Sequence, residues 1–203
     1  MKLSKLLLAT AGATVLLGAL VSSAAARNFS VSNQNISAMW SSVILRGPFG
    51  GSTDCHLTLE GSLHSRTIAK VAGSLIGHIT KAILGRCEAG TATIHSATLP
   101  WSVRYSGFEG ALPNIRSIIV HVIDAGFSVR TTEGVTCNVI TTAAQPGIGT
   151  FHRNTATHEL TEAGISGRIR TDCLGIEGTL SVPASGAISL LGTPSTLISV
   201  SLI

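Results

Sequence analysis

The chain has 203 residues, of which 44% are hydrophobic, 12% charged and 4% aromatic, with a formal net charge of +4. Charged residues at about half their usual share of roughly 25% leave a surface rich in hydroxyls and glycine. The basic residues are scattered rather than gathered into the stripe that phosphate binding needs, which excludes a nucleic-acid partner. The seven histidines and four cysteines show none of the short spacings of a zinc site.

The N-terminus has three parts. Met1 to Lys5 carries two lysines, Leu6 to Val21 is apolar or small throughout, and Ser22 to Ala26 is a patch of small residues. That order is the order of a secretory signal, with Ala24-Ala25-Ala26 as an A-x-A cleavage site. The apolar run falls short of the roughly 20 residues that cross a bilayer. The expectation is a signal peptide over residues 1–26 and a secreted domain over 27–203, extracellular or at the cell surface, with no transmembrane segment after cleavage. Losing Lys2 and Lys5 leaves 12 basic against 10 acidic residues, a net charge of +2. The remaining length suits one domain with a sizeable core.

Along the secreted part, short stretches rich in Val, Ile and Thr alternate with glycine-marked breaks, the pattern of strands and turns. From Cys55 to His64, Leu57, Leu59 and Leu63 share one face with Gly61, while Thr58, Glu60 and Ser62 share the other. Ile68, Ala72, Leu75 and Ile79 recur at helical spacing, so at most one short helix is expected. Residues 76–87 read as strand, and 67–75 stay open. Trp101, Val103 and Tyr105 alternate with Ser102 and Arg104, and Ile198, Val200 and Leu202 with serines. Ile115 to Ile123 is apolar on both faces and predicts a central strand. Gly47-Pro48, Leu112-Pro113-Asn114 and Gln145-Pro146-Gly147 mark turns.

Many short strands with turns between them predict an all-β domain, an antiparallel sandwich or a partly closed barrel. A membrane-spanning barrel is disfavoured by the scarcity of aromatic residues for its interfacial girdles.

The four cysteines fall into two pairs, Cys55 with Cys87 and Cys137 with Cys173, and counterparts in the two pairs are 82 and 86 residues apart. This suggests two related halves, roughly 27–112 and 113–203. Four cysteines allow three pairings. The expected one joins each pair internally, because each bond then closes one of two loops of similar size. Long separations and an oxidising compartment favour disulfides over metal ligation.

Two stretches, Ser65-Arg66-Thr67-Ile68-Ala69-Lys70-Val71-Ala72-Gly73-Ser74-Leu75-Ile76-Gly77 and Thr98-Leu99-Pro100-Trp101 through Tyr105, Gly107-Phe108 and Leu112-Pro113-Asn114-Ile115, resemble secreted actinobacterial proteins of about this length. The resemblance covers about half the chain. It implies a signal peptide and cysteine-flanked strands, and brings no activity or site with it.

No motif marks a reaction. His152, His158, Glu159 and Glu162 lie in a polar stretch that reads as surface. Ser74 and Ser166 sit near glycines without the G-x-S-x-G spacing of a nucleophile elbow. The ten carboxylates carry no pattern of paired acids. Trp101, Tyr105 and Phe108 could form a stacking surface, but a chain with eight aromatic residues needs them in its core. No catalytic, metal or cofactor residues are therefore assigned. The expected function is a secreted structural or binding protein in contact with the cell envelope or carbohydrate, and the alternative is a hydrolase of an extracellular polymer or ester.

Overall fold

The computed structural model describes residues 28–46, 52–166, 171–173 and 184–203. The expected signal peptide and the Gly47-Pro48 turn lie outside these residues. The strands are β1 Asn28–Val31, β2 Asn35–Arg46, β3 Ser52–Leu63, β4 Thr67–Ala69, β5 Leu75–Cys87, β6 Thr91–Ile94, β7 Trp101–Ala111 and β8 Asn114–Ile123. They continue with β9 Gly126–Arg130, β10 Thr136–Ile140, β11 Gly147–Arg153, β12 Leu160–Ser166, β13 Thr171–Asp172, β14 Ala184–Leu190 and β15 Val200–Leu202. Among the described residues the one helical element is a 3-10 turn, Ser96–Thr98. The helical spacing around Ile68 therefore forms no helix. Ile68 is a buried residue of β4, and Gly73, at φ +82°, turns the chain into β5.

Of the two architectures left open by the sequence, the barrel forms, and it is closed. Eight strands run around it in the order β2, β3, β5, β7, β8, β11, β12, β14, and β14 returns to β2 through pairs such as Ala187↔Met39. Each barrel strand pairs antiparallel with the next one along the chain, an up-and-down meander. Closing a sheet requires bending, and bulges supply it. They interrupt β2 between Trp40 and Val43, and the β5–β7 and β7–β8 ladders. The expected boundary between halves falls at the β7–β8 turn, where the two strands pair as neighbours from Ser102↔Ile123 to Ala111↔Asn114. The two halves are thus strands of one wall.

Both expected disulfides are present, Cys55–Cys87 and Cys137–Cys173. The first links the paired wall strands β3 and β5, and the second ties β10 to the residue following β13.

A small sheet lies at each end. β3 leaves one end at Leu63 into β4, which joins β1 and β15 in the order β15-β1-β4. β5 leaves the other end at Cys87 into β6, part of the sheet β13-β10-β9-β6. The first cap turns Phe29, Val31, Ile68 and Val200 into the common core, and the second turns Val129 and Val139.

The two faces of the wall differ. Inward positions carry Trp40, Val43, Leu57, Leu59, Val103, Val120 and Ile188. The outer face carries polar rows such as Ser37↔Glu60↔Lys81, closed by a Lys81–Glu60 ion pair of 3.2 Å. A membrane-spanning barrel has its apolar face outward, the reverse of this arrangement. Among the described residues no helix is long and apolar enough to cross a membrane.

Candidate ligand cavity

Eight strands make a barrel that is either filled by its own side chains or wide enough for one small ligand. Here an apolar cavity of about 190 Å³ remains inside. Along β2 it is lined by Ile36, Ala38, Trp40, Val43 and Leu45. Opposite and beside them stand Leu57, Leu59 and Leu63 of β3, Trp101 and Val103 of β7, and Val120 and Val122 of β8. The alternation read from the sequence at Leu57, Leu59 and Leu63 and at Trp101 and Val103 is the lining itself.

Both ends contribute. Val31, Ile68, Ile198 and Val200 line the cavity from the β1 side, and Ile94, Ala125, Phe127 and Thr141 from the β9 side. Gly147 and Gly149 of β11 leave bare backbone at two inward positions. A third glycine, Gly186, is required by packing, because a Cβ there would lie 2.5 Å from the Trp40 ring. Trp40 therefore lies close against β14, and its indole N–H donates to the Ala163 carbonyl of β12 at 2.7 Å.

The chemistry of the lining is almost wholly hydrocarbon. No charged residue lines it, and Ser62, His78 and Thr141 are its residues with polar side chains besides the two tryptophans. The Thr141 hydroxyl accepts from the Ala125 amide at 2.8 Å, and the Trp101 indole donates to the Thr98 hydroxyl at 2.8 Å. With both indole N–H groups already bonded, each tryptophan offers a guest its ring alone. Such a site can bind by burial and shape, and its one titratable side chain is His78, whose Nδ1 lies 2.9 Å from His64 Nε2.

Trp101 and Tyr105 are buried and Phe108 is half-buried against the core. The exposed stacking face that carbohydrate contact would need is therefore not built from these three rings. Burial also pushes the Tyr105 phenol above its ordinary value.

Two histidines reach serines, both away from the cavity. His95 Nε2 lies 2.6 Å from the Ser128 hydroxyl, which donates to Asn138 Oδ1 at 2.6 Å, and His121 Nε2 lies 3.0 Å from the Ser106 hydroxyl. Among the hydrogen bonds of the described residues, neither imidazole is held by a carboxylate, which a Ser-His-acid triad requires. His152 and Glu162 face each other across β11 and β12, whereas His158 is exposed in the preceding turn at φ +65°. His56 is exposed on β3, and His64 Nε2 and His78 Nδ1 lie 2.9 Å apart. No group of three or more His, Cys, Asp or Glu side chains placed for a metal occurs among the described residues. Ser74 is half-buried beside β5 and Ser166 is exposed at the end of β12, and among the described residues the Ser74 hydroxyl has no hydrogen-bond partner.

One buried ion escaped the sequence reading. Arg153, at the end of β11, is 7% exposed. Its Nε donates to the Val200 carbonyl at 2.8 Å and Nη1 to the Ile115 carbonyl at 3.1 Å. Burial lowers its pKa. It clamps the β15 cap to the wall. The signal available was parity, because Arg153 falls on the inward face of Gly147, Gly149 and Phe151.

No known protein family, curated protein or solved structure matches the chain.

Proposed function

We propose that the chain is an exported binding protein that holds one small apolar ligand in the lumen of its barrel. The observation that carries this reading is the uncharged cavity of about 190 Å³. An empty apolar void costs about 24 cal/mol per Å³, so this one amounts to roughly 4 to 5 kcal/mol of lost stability. Larger side chains at Ala38, Ala125 and Gly147 would remove that cost if the barrel were only a structural unit. Engineered cavities of about 150 Å³ with similar lining stay dry and take up benzene. The tripartite N-terminus and the two disulfides support export into an oxidising compartment.

The reading is tested on protein purified from the secreted fraction, by native mass spectrometry before and after extraction with organic solvent. The expected result is a chain that begins within a few residues of Arg27 and carries one apolar molecule, or takes one up when apolar compounds are supplied. A bare chain that takes up none, with tryptophan emission unchanged by any of them, would show that the lumen is structural.

A further inference from the structure

We infer that the ligand is a single unbranched alkyl or acyl chain, carrying no charge inside the barrel and lying along the barrel axis. This rests on the carrier reading and narrows it.

The first ground is the shape of the lumen. Its lining includes inward residues along nearly the whole of β2, from Ile36 to Leu45, and residues of both caps, Val31 at one end and Phe127 at the other. Allowing for the bulge, eight rungs at roughly 3.3 Å, from Ile36↔Gly61 to Leu45↔Thr53, cover about 26 Å of strand. A strand tilt of about 35 to 45° turns that into roughly 20 Å of axis. A volume of about 190 Å³ spread over such a length is a narrow channel rather than a chamber. A fused-ring molecule would need that volume gathered at one level. An extended chain needs it drawn out.

The second ground is charge. No lysine or arginine lines the channel, its one imidazole, His78, sits opposite Ser62 and is paired with His64 at 2.9 Å, and the indole N–H groups of Trp40 and Trp101 are bonded to Ala163 and Thr98. Bringing an ionised carboxylate into such surroundings without a partner costs several kcal/mol or more, so a charged head does not enter. The part of the ligand inside the barrel is held through the burial of its methylenes, worth about 0.8 kcal/mol each.

Trp40 and Trp101 line the channel and report on its contents. The full secreted protein is titrated with methyl parinarate, a neutral linear polyene that accepts energy from tryptophan, and separately with pyrene, a compact four-ring hydrocarbon. The expected result is energy transfer from tryptophan to the polyene that saturates at one equivalent, with pyrene bound at least tenfold more weakly. Pyrene bound as tightly as the polyene would overturn the chain assignment and leave the carrier reading standing. Refusal of both probes, together with a bare chain by native mass spectrometry, would overturn both.

Ala38→Leu narrows the channel midway and is expected to weaken polyene binding at least tenfold while the thermal midpoint is kept. Unchanged affinity in a folded Ala38→Leu would overturn the axial path. Should that variant not fold, Leu59→Ala widens the lumen beside Ala38, its partner across the β2–β3 ladder, and is expected to admit pyrene, and continued exclusion of pyrene would count against a channel limited by width.

Discussion

The two ends of the barrel are closed by different means. At one end the cap β15-β1-β4 is made from both extremes of the described chain, with Phe29↔Leu202 paired across it, and no disulfide joins it to the wall. Phe29 packs on Tyr105 of the wall with ring centroids 5.9 Å apart, and Arg153 grips the Val200 carbonyl from β11. At the other end the cap β13-β10-β9-β6 is assembled from strands inserted between wall strands. Cys137–Cys173 braces it, and Thr98, Ser128 and Asn138 join its neighbours through hydroxyl and amide hydrogen bonds. The first cap depends on packing, one buried cation and the backbone bridge Glu159↔Ser199, the second on a covalent bond and short polar contacts. Alkali should weaken one and reductant the other.

The largest expected effect is at the junction of the second cap with the wall. Trp101 opens β7, is 4% exposed, and bonds the 3-10 turn through Thr98. Trp101→Ala should cost about 3 to 5 kcal/mol through lost burial and the cavity left behind. Thermal unfolding reads the loss, and an unchanged midpoint would mean that turn and wall do not depend on each other.

The disulfides come next. Their sequence separations of 32 and 36 residues are nearly equal. The chain-entropy model therefore gives both about 3 to 4 kcal/mol. Their neighbours differ. Cys55–Cys87 joins strands that also share a long ladder, Leu57↔Leu84 through Leu63↔Gly77, whereas β13 meets β10 at Asn138↔Asp172 and Val139↔Thr171. Replacing both cysteines of either pair by serine should lower the midpoint similarly. Hydrogen exchange should separate them, with local loss of protection in β10 for the second pair and little local change in β3 for the first. Equal local loss in both would end the distinction between wall and cap.

Much of the wall was legible in the sequence, because period-2 alternation at Cys55 to His64 and at Trp101 to Tyr105 fixes which residues point inward. Alternation does not say what lies across from an inward face. A sandwich and a barrel share it, and the choice rests on β14 meeting β2 across nearly 150 residues, at Ala187↔Met39. Nor does it say whether facing side chains meet. Leu57, Leu59 and Leu63 read as one apolar face, and only the closed geometry sets that face around a lumen shared with Trp101 and Val120. The contact of His95 with Ser128 was illegible for a related reason, since it depends on the β6–β9 register, Thr93↔Ser128. Local patterns give the face of a residue; register gives its partner.

At the first cap, Arg153→Met keeps much of the side chain's length and removes its donors, leaving the Val200 and Ile115 carbonyls unpaired. Orphaned buried acceptors cost roughly 1 to 3 kcal/mol each, and removing a desolvated cation offsets part of that. The expected net loss is about 2 kcal/mol. Exchange at the Val200 amide, which bonds the His158 carbonyl at 2.8 Å, should rise with it. Protection unchanged there would show that the cap is held without the guanidinium.

The smallest effect is a pH dependence confined to the same cap. Tyr105 is the only tyrosine in the chain, and burial raises its pKa above the ordinary 10.0. The folded state then holds the phenolic proton more tightly than the unfolded state does. The stability this contributes is complete below pH 10 and is lost as the pH rises through the folded value. Ultraviolet titration of the phenolate reads this group without interference from another tyrosine, and its midpoint should lie above 10 in the folded chain. Tyr105→Phe keeps the ring against Phe29 and removes the titration, so its thermal midpoint should fall less over the same alkaline range. A phenolate midpoint at the ordinary value would place the hydroxyl in water, and the cap would then have no alkaline weakness to set against the reductive weakness of the other end.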